Sequence, residues 1–152
     1  MNIPSALQSL STAGSALKEL ANWLNKSKGD SRRLITELKN NLTYIDLVLK
    51  DDLPLEDFID KISSHEYDSI AGQGFNFNRL KEKKIASYPS LKGSDLATWQ
   101  GKKTEDLIHS IYDKIREVKL RYPHVKDSKN YRWAQRLHNI RKKIWLLLRH
   151  IK

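Results

Sequence analysis

The chain has 152 residues and a formal net charge of +10, with 39% hydrophobic and 30% charged residues, which suits one folded core and is too little for two comfortable ones. It holds no cysteine, which excludes disulfides, thiolate metal sites and cysteine nucleophiles and fits a reducing, cytoplasmic setting. The apolar run at residues 144–148 falls far short of the roughly 18 residues of a membrane span, so no transmembrane segment is predicted.

Charge is unevenly placed. Residues 1–101 carry 13 Lys/Arg and 13 Asp/Glu, whereas residues 102–152 carry 15 and 5, and residues 128–152 carry eight basic residues and no acid. A neutral body with a cationic end, within a single domain spanning 1–152, points to an anionic partner.

The opening Met1-Asn2-Ile3-Pro4-Ser5 lacks the basic n-region and apolar stretch of a secretory signal. Leu7, Leu10, Gly14, Leu17, Ala21 and Leu24 then fall on one helical stripe, and Lys28-Gly29-Asp30 suits its end. Small residues around Gly14 invite close packing against another backbone. A second helix is predicted from a Ser31 cap, with Leu34, Leu38, Leu42, Ile45 and Leu49 inward and a stop near Asp51-Asp52. Pro54, Glu56 and Asp57 suit the first turn of a third helix carrying Phe58, Ile59 and Ile62.

Residues 64–103 read as an irregular connection. Gly72-Gln73-Gly74 breaks the pattern, residues 79–86 suit a short helix, and Ser94 can cap one turn through Trp99 that Gly101 ends. Thr104 is the predicted N-cap of a long helix with Ile108, Ile111, Ile115, Val118 and Tyr122 inward, closed by Pro123. Ser128 or Asn130 caps the last helix. These elements predict an all-α fold, an antiparallel bundle of four to five helices.

At 100° per residue, the last helix gathers Trp133, Leu137, Ile140, Ile144, Leu147, Leu148 and Ile151 on a burying face. Lys129, Arg132, Arg136 and Lys143 line one flank, and Arg141, Lys142, Arg149 and Lys152 the far side, with Tyr131, His138 and Trp145 among them. Cations interleaved with aromatics suit phosphates and stacked bases. Arg136, Arg141, Lys142, Lys143, Trp145 and Arg149 are therefore the candidate contacts for nucleic acid or another polyanion; a protein partner or homodimer is compatible with the same surface. Trp145 has a plainer alternative, packing beneath residues 64–103. No zinc-finger spacing, RNP pattern or helix-turn-helix signature is present, so such binding would have weak sequence preference and strong salt dependence.

Signs of catalysis are sparse. The chain lacks phosphate-loop, dinucleotide-loop and H-E-x-x-H motifs, and no cofactor or metal site is predicted. His109 and Asp113, one turn apart, suit a surface hydrogen bond; His65-Glu66 stands alone. Arg132 and His138, five residues between them, resemble the R-x(4–6)-H motif of HEPN-type helical ribonucleases. That resemblance implies metal-independent RNA cleavage at a cleft between subunits of a dimer. Here Trp133 stands where that family often has a polar residue, and the two side chains lie about 120° apart around the helix. A third reading is a membrane-acting bundle led by residues 5–26, whose polar face carries little charge.

Overall fold

The computed structural model describes residues 15–128 and 130–151, and all its regular elements are helical. Five α-helices occur among the described residues: α1 (Ser15–Lys26), α2 (Gly29–Leu49), α3 (His65–Gly72), α4 (Thr104–Val125) and α5 (Trp133–Ile151). Short 3₁₀ turns occupy Leu55–Asp57, Phe77–Leu80, Pro89–Leu91 and Asp95–Trp99. The part of the predicted first helix before residue 15, including Leu7, Leu10 and Gly14, lies outside the described residues, as do Lys129 and Lys152.

Within α1 the buried centre is Ala16 and Leu20, with Leu17, Trp23 and Leu24 at the margins, so the face is turned from the predicted stripe. Gly29 stands at φ +59°, a left-handed conformation that glycine takes without steric cost, and it starts α2 two residues before the predicted Ser31 cap. The predicted apolar stripe of α2 is buried from Leu34 to Ile45, joined by Ile35, Glu37 and Asn41. Asp52, at φ +59°, ends the run, and the Leu53 N–H turns back to the Leu47 carbonyl at 3.1 Å.

The third predicted helix is instead a 3₁₀ turn and two looser turns. Ile59 and Ile62 are still buried, and Phe58 stacks on Tyr44 with ring centroids 6.1 Å apart. Two buried polar side chains of α2 shape the next segment. Asn41 pairs with both backbone groups of Ser63, at 2.8 and 2.9 Å. Glu37 accepts the N–H groups of Glu66 at 2.7 Å and Tyr67 at 3.1 Å, satisfying the first turn of α3 with a carboxylate from a distant helix.

The short helix predicted at residues 79–86 does not form, because Asn76 accepts from Asn78 N–H at 3.0 Å and sets a 3₁₀ turn that ends at Leu80. Asn78 in turn accepts the Glu105 N–H at 3.0 Å, so the connection caps the start of α4. Ser94 caps the turn through Trp99 as predicted, accepting from Leu96 N–H at 3.2 Å, and Gly101 closes it at φ +80°.

Thr104 is the first residue of α4 rather than its cap; Lys103 precedes the helix, and Asp106 accepts the Lys103 N–H at 3.1 Å. Pro123 does not end α4, which continues to Val125 with the proline ring exposed on its outer side. The first i→i+4 bond of α5 runs from Arg136 N–H to the Arg132 carbonyl at 3.1 Å, which puts Arg132, not Ser128 or Asn130, at the N-cap.

Packing centres on α5. It touches α1, α2 and α4, and its buried set extends from Leu137 around nearly the whole circumference to His150. Ile108, Ile111, Ile115 and Val118 of α4 and the α2 stripe meet it in one contiguous cluster. Trp133 and Ile151, predicted inward, are only half-buried, and Trp133 packs on Tyr122 with centroids 5.2 Å apart. No helix among the described residues is long and apolar enough to cross a membrane.

Candidate polyanion-binding surface

A helix wrapped on all sides cannot show all its charge. Arg141 is only 11% exposed and pairs with Asp46 of α2 at 3.2 Å. Lys142, 10% exposed, pairs with Asp95 of the connection at 3.0 Å. Trp145 is 2% exposed, against His138 at 6.1 Å and beneath the Arg141 guanidinium at 4.8 Å. The sequence put these three on a solvent face; the structure turns that face toward α2 and the connection. Trp145 is core, beneath Arg141, whose guanidinium pairs with α2.

The other three candidates keep contact with solvent. Arg136 stacks on Tyr131, 4.0 Å from ring centroid to guanidinium carbon, and reaches Glu117 at 3.4 Å. Lys143 is half-buried, donates to Ser110 Oγ at 2.8 Å, and has its amine 5.7 Å from the Trp99 ring. Burial, then the neighbouring Lys114, holds that amine below the ordinary lysine range. Arg149 is exposed and lies over Tyr88 at 5.7 Å.

Further cations, absent from the sequence-based candidates, join them. Residues 79–103 hold seven Lys/Arg against two acids, Glu82 and Asp95. Asp95 is already tied to Lys142. Lys83, Lys84, Lys92, Lys102 and Lys103 are exposed, and none is in an ion pair among the described residues. Ile85 donates to the Lys102 carbonyl and accepts from Gly101 N–H, both at 2.9 Å, which fastens the Lys83-Lys84 stretch beside Lys102-Lys103. Half-buried Trp99 carries Lys102 at 4.7 Å as well as Lys143, and so joins the connection to α5. Two local windows, residues 79–84 and 102–103, carried the missing signal; summing charge over residues 1–101 cancelled the first, and the second was absorbed into the basic total of residues 102–152.

Two anchors hold this surface in place. The buried Thr104 hydroxyl donates to the Lys81 carbonyl at 2.6 Å, which leaves its oxygen to accept from His150 Nε2 at 2.8 Å. Burial keeps His150 below the ordinary histidine range, with Lys81 adding to the effect. The second is the Lys142–Asp95 pair. The connection and α5 also bound a cleft of about 400 Å³, lined by Ile85, Tyr88, Leu91, Leu96 and Leu146.

Arg132 and His138 are not brought together. Arg132 is exposed at the start of α5, whereas His138 is 4% exposed and accepts at Nδ1 from Arg141 at 3.1 Å. Burial, then Arg141 and Lys142, pushes the His138 imidazole down to about 4. His109 does not pair with Asp113 either. Its Nδ1 takes the Tyr67 hydroxyl, in an aromatic cluster where Tyr67 stacks on Tyr112 at 4.1 Å, and Asp113 pairs with Arg116 at 3.6 Å. No cluster of three or more His, Asp or Glu suited to a metal occurs among the described residues. No family model matches the chain, and no curated protein or solved structure matches it significantly.

Proposed function

We propose that this chain is a helical binding module for an extended polyanion, nucleic acid above all. The observation that carries the reading is the junction at Trp99. A half-buried indole holds Lys102 at 4.7 Å and Lys143 of α5 at 5.7 Å, with Lys83, Lys84 and Lys103, in no ion pair among the described residues, next to them. Exposed ammonium groups without carboxylate partners keep their charge available to phosphates, and binding releases the counterions condensed on the polymer. The indole beneath Lys102 and Lys143 holds the two ammonium groups together at this junction. On this reading the surface lies mainly on the connection that crosses α5, and Arg136, Lys143 and Arg149 are the helix candidates that still meet solvent beside it. The surface includes no base-reading element, so the reading implies weak sequence preference.

The test is retention of labelled single-stranded RNA across a salt series. Replacing Lys83, Lys84, Lys102 and Lys103 with Gln should flatten the log–log salt slope by about 0.7 for each phosphate that the variant no longer neutralises. A parent protein that leaves RNA free at low salt ends this reading.

A further inference from the structure

Apart from the exposed lysines, α4 and α5 enclose a smaller recess of about 220 Å³, walled by Lys114, Glu117, Arg136, Asn139 and Lys143, with Asp95 at its edge. Its charge does not balance. Glu117 is the one carboxylate here facing three cations: Lys114 at 3.2 Å, Arg136 at 3.4 Å and Arg121 at 3.6 Å. The other acid, Asp95, is engaged by Lys142 at 3.0 Å. Lys143, half-buried in the wall, has no carboxylate partner among the described residues, and its one bond is to a neutral hydroxyl, Ser110 Oγ at 2.8 Å.

Donors are also in surplus over acceptors. The Nε of Arg136 is buried with no protein acceptor. Asn139 has its Oδ1 occupied by Gln135 Nε2 at 3.1 Å, which leaves its own amide N–H groups to donate. Tyr131 fixes the plane of the Arg136 guanidinium from one face at 4.0 Å. Cations gathered around a single carboxylate repel one another, and a buried donor without an acceptor loses its hydration; one compact anion with several oxygens relieves both costs.

We infer that this recess seats a single phosphate dianion, held by Lys114, Arg136, Asn139 and Lys143. A tetrahedral oxyanion can accept from a guanidinium, an amide and two ammonium groups arriving from different directions, whereas the acceptor sites of a carboxylate lie near one plane. A bound dianion would also lift the burial penalty on the Lys143 amine. The site adjoins the polyanion surface through Lys143 but differs from it in shape: backbone phosphodiesters carry one charge each and run along an exterior, whereas a recess takes a free phosphate or a terminal phosphate on a strand.

Inorganic phosphate titrated into the whole chain, with chloride at matched ionic strength as the comparison, tests this. The result expected is saturable binding by calorimetry, weakened at least tenfold by Lys143→Met and by Asn139→Asp. Asn139 is only half-buried, so the added carboxylate leaves the fold intact while opposing the anion. Binding no different from chloride, or an Asn139→Asp protein that binds as the parent does, overturns the site. RNA with a 5′-phosphate or a 5′-hydroxyl separates the sources. Displacement of only the phosphorylated strand by inorganic phosphate assigns a strand end, and saturable phosphate binding without discrimination between strands assigns the free ion.

Discussion

Two stretches of basic residues meet in this molecule and have opposite fates. On α5, Arg141 and Lys142 are nearly buried and each is matched to an acid, Asp46 and Asp95. On the connection, Lys83, Lys84, Lys102 and Lys103 are exposed and have no ion-pair partner among the described residues. The helix, with its longer run of bases and no acid, looked like the more cationic of the two. The difference is one of placement: α2 covers Arg141 and the connection covers Lys142, while the connection's own lysines face outward. A basic helix inside a bundle commits its cations to structure, because a buried ammonium or guanidinium without a partner costs several kcal/mol.

The largest effect should come from the core that both stretches share. Ile111 and Ile144 are fully buried, so Ile111→Asp or Ile144→Asp should cost at least about 4 kcal/mol in denaturant unfolding, by burying an unpaired carboxylate. A variant that unfolds like the parent would undo the packing of that helix.

Trp145→Ala should come next, at about 3–5 kcal/mol, because a large side chain only 2% exposed leaves a cavity. Unchanged stability accompanied by weakened RNA retention would return Trp145 to the surface and reverse the contrast between the two stretches.

Acid should act through the buried histidines. His138 titrates at about 4 in the folded chain and near 6.5 unfolded, so the unfolded state takes up the proton first. A folded value depressed for a base means stability falls as pH drops from 6.5 toward 4 and levels off below. The full loss from His138 is about 3 kcal/mol, and His150, shifted the same way, adds to it. Chemical denaturation at a series of pH values checks this; His138→Asn should flatten much of the slope while preserving an acceptor for Arg141.

Smallest should be the effect of the exposed lysines on folding. Changing Lys83, Lys84, Lys102 and Lys103 to Gln should move stability by less than about 0.5 kcal/mol, since unpaired surface charges hold little together. A large drop in melting temperature would show that these residues, like Arg141 and Lys142, are structural.

Helix periodicity made most of the architecture legible. The stripes of α2, α4 and α5 bury Leu34, Leu38, Leu42, Ile108, Ile111, Ile115, Leu137, Ile140 and Ile144 as their spacing requires. The misses occur where a partner from elsewhere overrides the local pattern. Residues 65–72 become helical with Glu37 receiving their first N–H groups, and residues 79–86 lose a helix to the turn set by Asn76. Pro123 looked like a terminator because its missing N–H removes one bond, yet an exposed ring at the last turn leaves α4 intact.

By itself, then, the sequence determined that the chain is helical, where its long helices run and which apolar residues they bury, because a 3.6-residue period is a local property. Which charges remain on the surface was decided only by the tertiary structure. Arg141 is neutralised by an acid 95 residues away and Lys142 by one 47 residues away, and no window along the chain contains both members of such pairs in a recognisable pattern. Arg141, Lys142 and Trp145 were read as solvent-facing for that reason: counting cations along a helix measures charge available before folding, and folding decides how much of it meets solvent.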